Sequence, residues 1–87
     1  MPDPIRAHLV CGGRWHDMDF ARLELLKLLA EDPEIRVRVS EDFRDTEAIA
    51  EADFLLTYTC DLRLEEGEQR ALADFVSRGK RWFALHG

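Results

Sequence analysis

Phe54-Leu-Leu-Thr-Tyr-Thr-Cys60 is a near-continuous apolar and β-branched run. A strand covered on both faces need not alternate with polar residues, and such runs mark the central strands of parallel sheets. The flanking sequence agrees. On the amino side, Ile35-Arg-Val-Arg-Val39 alternates strictly, apolar on one face and arginine on the other. It reads as a half-buried strand whose charged face suits a sheet edge. A short helix around Thr46 to Glu51 joins the two strands. On the carboxyl side, Glu65 to Arg78 is a helix burying Ala71, Leu72, Phe75 and Val76, with Gly79 as its C-terminal cap. Arg81-Trp-Phe-Ala-Leu-His86 then carries a fourth strand over Trp82–Leu85, running into a histidine.

The remaining amino-terminal stretch repeats the alternation. Arg6-Ala-His-Leu-Val-Cys11 is a strand, and Gly12-Gly13 after it reads as a turn needing backbone freedom. Asp17 and Asp19 stand where acidic residues stabilise a helix start. In that helix Phe20, Leu23, Leu26 and Ala30 share one face, widened by Leu25, Leu28 and Leu29, and Pro33 ends it. Strand, helix, strand, helix, strand, helix, strand implies an α/β fold with a parallel sheet and right-handed crossovers. With the second strand at an edge, the predicted order is 2-1-3-4, a flavodoxin-like three-layer arrangement. A fourth strand with no following helix leaves apolar surface around Trp82 and Phe83 uncovered.

Composition narrows the function classes. The 87 residues allow one domain, spanning 1–87, and 46% hydrophobic with 34% charged residues is an ordinary globular balance. Twelve basic against eighteen acidic residues give a net charge of −6, with no basic cluster, so a nucleic-acid partner is not expected. Neither a signal peptide nor a membrane helix is legible, so no membrane partner and a cytoplasmic location are expected. Cys11 and Cys60 then read as reduced thiols.

In open parallel sheets ligands bind outside the carboxyl ends of the strands. In the 2-1-3-4 order, His16, Cys60, Asp61 and His86 converge on one rim. Imidazole and thiolate suit a divalent metal such as zinc, so His16, Cys60 and His86 are candidate ligands, although their spacing matches no compact zinc motif. Gly12 and Gly13 are candidates for presenting backbone N–H groups to an anion or a sugar hydroxyl. Arg14 and Trp15 offer a stacking face for a sugar ring, and Asp17 completes the candidate ligand-binding set. The G-x-G-x-x-G dinucleotide fingerprint is missing, because Arg14, Trp15 and His16 leave no third glycine. A receiver domain would place a phosphorylatable aspartate at Asp61, but it needs an acidic pair where Gly12-Gly13 stand.

Three stretches resemble the trehalose-utilisation (ThuA-like) family of the class I glutamine amidotransferase-like superfamily. They are Leu9-Val-Cys-Gly-Gly-Arg-Trp-His-Asp17, Ala52-Asp-Phe-Leu-Leu-Thr-Tyr-Thr-Cys60, and Glu68-Gln-Arg-Ala-Leu-Ala-Asp-Phe-Val-Ser-Arg-Gly79 running into Leu85-His-Gly87. The resemblance implies a flavodoxin-like sheet, a role in carbohydrate utilisation, a small-molecule carbohydrate ligand, and histidines His16 and His86 at functional strand ends. It puts His86 in the turn where glutamine amidotransferases carry their nucleophilic cysteine. A histidine cannot form their thioester, so amide transfer is not expected. Family domains are longer, so the chain is expected to represent the N-terminal portion of one.

The leading expectation is a sugar-utilisation domain with His86, His16 and Asp61 as catalytic candidates, imidazole being suited to acid–base work near neutral pH. A non-catalytic assembly module is the alternative, pairing through its open edge strand with a second copy or with the remainder of the domain. A cysteine-dependent hydrolase using Cys60 or Cys11 is the third reading, and it requires a lowered thiol pKa.

Overall fold

The computed structural model describes residues 4–13, 17–60 and 62–86, the last of these by its backbone alone. The elements run β1 (Ile5–Gly13), α1 (Met18–Ala30), β2 (Ile35–Ser40), α2 (Thr46–Glu51), β3 (Phe54–Cys60), α3 (Glu66–Ser77) and β4 (Arg81–His86). All strand pairings are parallel, and the four-stranded sheet has the order β2-β1-β3-β4. This is the flavodoxin-like α/β arrangement that the strand patterning predicts.

Strand alternation divides the core in two, because successive side chains point to opposite faces. Leu9 and Cys11 of β1 join Leu56 of β3 and Leu29 of α1 on one face. Val10 and Leu55, their sequence neighbours, meet Ile49 of α2 and Leu72 and Phe75 of α3 on the other. The chain steps from β1 outward to β2, then back across β1 to β3 and β4. With crossovers of one hand, that reversal puts α1 opposite α2 and α3. It also makes the carboxyl ends of β1 and β3 the topological switch point, where such sheets open a crevice.

Three expectations need correction. Gly12 and Gly13 do not form a turn, since both continue β1 in register with Thr59 and Cys60 of β3. In α1, Phe20, Leu23 and Leu28 are exposed, and the inward stripe is Met18, Ala21, Leu25, Leu26 and Leu29. A helix apolar on most sides does not reveal by periodicity which stripe faces the sheet. In α3, Leu72 and Phe75 are buried but Val76 is 48% exposed, because α3 leaves β4 partly uncovered. Trp82, Phe83 and Leu85 of β4 are also exposed, with Phe83 edge-on to Phe54 at 6.0 Å. Among the described residues, no helix is long and apolar enough to cross a membrane.

Candidate functional site

The switch point is built around the glycine pair. A Cβ on Gly12 would stand 2.0 Å from the Glu41 carbonyl oxygen, where the chain leaving β2 passes over β1. Gly13 has φ 118°, and a Cβ there would lie 1.9 Å from the Cys60 carbonyl oxygen. Both positions therefore need glycine for backbone packing, whatever ligand they meet. After residues 14–16, which lie outside the described residues, Asp17 caps α1 by accepting from Phe20 N–H at 3.0 Å through Oδ1. A carboxylate there also faces the positive end of the helix dipole.

Beside the pair lies a cleft of about 410 Å³ lined by Cys11, Gly13, Asp17, Asp19, Arg22 and Glu41 among others. Arg22 organises it. Its Nη1 donates to Asp19 Oδ1 at 2.9 Å, and Nη2 reaches the Cys11 carbonyl at 3.5 Å and Glu41 Oε1 at 3.7 Å. Its Nε is buried and finds no partner among the described residues. The Asp19 and Glu41 carboxylates are 91% and 82% exposed, so each keeps lone pairs free for a ligand. The Cys11 thiol, wholly buried, donates to the Met18 carbonyl at 3.4 Å. Burial raises its pKa, Arg22 opposes the rise and Asp19 adds to it. The thiol stays protonated, which makes Cys11 a poor nucleophile for a cysteine-dependent hydrolase.

The other candidates divide between described and undescribed positions. Cys60 is half-buried at the end of β3, beside Gly13. His86 closes β4 in register with Tyr58, so the carboxyl ends of β1, β3 and β4 form one rim. Arg14, Trp15, His16 and Asp61 lie outside the described residues, as does the side chain of His86. The zinc set His16, Cys60 and His86 and the catalytic trio His86, His16 and Asp61 therefore fall largely outside them. Among the described residues, no group of three His, Cys, Asp or Glu side chains could hold a metal ion.

Arg22 and Glu41 are site residues that the sequence reading missed. Arg22 had a signal, an aspartate three residues before it in the first turns of a helix. Glu41 had a weaker one, its place in the Ser40–Phe43 loop at the carboxyl end of β2, but only the pairing of β1 with β2 brings it over Gly12.

Comparison of the chain with protein-family models, curated proteins and solved structures gives no match.

Proposed function

We propose that the chain is a carbohydrate-binding domain of the ThuA-like kind, taking a neutral sugar of the trehalose type into the cleft at the carboxyl end of β1. The observation that carries this reading is Arg22 held between Asp19 and Glu41 at the switch point, with both carboxylates open to solvent. Sugar hydroxyls donate to carboxylates and accept from a guanidinium, so a mixed rim of this kind satisfies a polyol in both roles. Three carboxylates against one guanidinium repel an anion. The volume of about 410 Å³ lies in the range of small-molecule sites. Catalytic roles for His16, Asp61 and His86 rest on residue type, strand order and, for the two histidines, the resemblance, and their side chains lie outside the described residues, so the reading is one of binding.

Isothermal titration of the full chain with trehalose tests it. The proposal expects a saturable heat, weakened about tenfold in Glu41→Gln, as loss of one charge-assisted hydrogen bond requires. No saturable heat, or binding by Glu41→Gln and Arg22→Gln as tight as by the parent, contradicts it.

The open edge of β4 supports a second reading, an assembly module. Trp82, Phe83 and Leu85 are 40%, 47% and 54% exposed on a strand that pairs only with β3 among the described residues. Such edges pair with other chains. Sedimentation that reports a monomer at all concentrations excludes self-pairing.

A further inference from the structure

A second cleft, of about 330 Å³, opens on the opposite face of the sheet, toward the amino halves of β1 and β2. Its charged lining is Arg6, Arg36, Arg38 and Glu51, with His8 buried in its wall. Three guanidiniums against one carboxylate is a local excess of positive charge in a chain of net charge −6. The register makes the crowding specific. Arg6 stands directly beside Arg36, and His8 beside Arg38. Like charges facing each other across strands are destabilising unless something compensates them.

The described residues compensate only partly. Arg38 pairs with Glu51 at 3.3 Å. Arg36 donates to the neutral carbonyls of Pro33 and Ile35 at 2.6 and 3.4 Å. The Arg6 guanidinium has no partner among the described residues, and Asp53 takes only the Arg6 backbone N–H, at 2.7 Å. Protection of the β2 edge accounts for Arg36 and Arg38. It does not account for Arg6, because β1 has a neighbour on each side. The six-residue α2 is too short to cover this part of the sheet, which leaves the three guanidiniums open to solvent.

His8 adds a different group. The Ser40 hydroxyl donates to the Asp42 carbonyl at 3.0 Å, so it accepts from His8 Nε2–H at 2.8 Å. That fixes the neutral tautomer with Nδ1 as a lone-pair acceptor. Nδ1 is buried without a partner among the described residues, on a side chain only 2% exposed. The cleft therefore offers guanidiniums for an anion, while the unmet Nδ1 acceptor stays buried in its wall.

We propose that this cleft binds the phosphoryl group of a small phosphate monoester, held by Arg6, Arg36 and Arg38. Guanidinium forks match phosphate oxygens in geometry as well as charge. The confined volume and the acidic remainder of the chain favour a small ligand over a nucleic-acid backbone. The site is independent of the sugar reading at the other end of β1.

The test is a titration of the full chain followed by amide NMR shifts, with inorganic phosphate, glycerol 3-phosphate, and sodium chloride at matched ionic strength. Both phosphates should give saturable shifts confined to residues 5–8, 36–38 and 48–52, beyond any caused by chloride. Tighter binding of glycerol 3-phosphate identifies an ester as the ligand class, and equal binding identifies free phosphate. The double variant Arg6→Gln/Arg36→Gln should bind either probe at least about tenfold more weakly. Without phosphate its thermal midpoint should equal or exceed that of the parent, because the cross-strand repulsion is gone. Shifts no larger than chloride gives, or undiminished binding by the folded double variant, overturn the proposal.

Discussion

The two ends of β1 carry opposite charge. At the carboxyl end Asp17, Asp19 and Glu41 line one cleft with Arg22; toward the amino end Arg6, Arg36 and Arg38 line another with Glu51. Local structure explains the sorting. The carboxyl end meets the start of α1, whose unpaired N–H groups favour aspartate at the cap and in the first turn. The amino half lies beside the edge strand β2, whose Arg36 and Arg38 hinder pairing with another chain, whereas Arg6 sits on an interior strand. Between them Leu9 and Val10 are fully buried, so the middle of the strand belongs to the core and only its ends can meet a ligand.

The largest effect should separate the ends by their tolerance of change. Gly13→Ala forces a Cβ into the Cys60 carbonyl at a left-handed φ, and should cost about 3 kcal/mol or more in denaturant unfolding. Arg6→Ala, on the same strand, should stay within about 0.5 kcal/mol. Equal costs would mean that the carboxyl end is not packed as described. Next comes Ser40→Ala, which leaves His8 Nε2–H buried without its acceptor, at about 1–3 kcal/mol. A cost near zero would show that the His8–Ser40 bond contributes nothing.

A smaller effect depends on pH. Burial lowers the His8 pKa from its ordinary 6.5, Asp45 opposes the shift and Arg38 adds to it. The unfolded chain then binds this proton more readily than the folded one. Stability from this group is fully present above pH 6.5 and is lost as pH falls from there through the lower folded value. The thermal midpoint should therefore drop more between pH 7 and pH 5.5 in the parent than in His8→Gln; identical slopes would remove His8 from the account. The last contrast leaves stability unchanged. Iodoacetamide at neutral pH should spare buried Cys11 in the native protein and label it after unfolding. Rapid native labelling of Cys11 would contradict the closed packing beneath the acidic cleft.

Most of the fold is legible in the sequence because each element carries its own pattern. The Phe54–Cys60 run and the alternation of Ile35–Val39 place β3 inside and β2 at the edge, and α2 spans Thr46–Glu51 as predicted. Legibility fails where one local pattern fits two outcomes. Leu-rich α1 could present several stripes, and two glycines can end a strand or let it pass beneath another chain segment. The sites were harder still. His16 and Asp61 suggest themselves by residue type and by their place after β1 and β3, whereas Arg22, Glu41 and the Arg6–Arg36 pair acquire meaning only from contacts between distant segments. The arginines of β2 were visible as an exposed face, but their alignment with Arg6 needs the register of β1 on β2.

Under the two proposals, β1 meets a sugar at its carboxyl end and a phosphate toward its amino end. A single amide NMR sample titrated first with trehalose and then with inorganic phosphate tests it most directly. Two separate sets of shifts are expected, trehalose moving residues 11–13, 17–22 and 41, and phosphate moving residues 5–8, 36–38 and 48–52. Overlapping sets, or saturation by neither ligand, would contradict it.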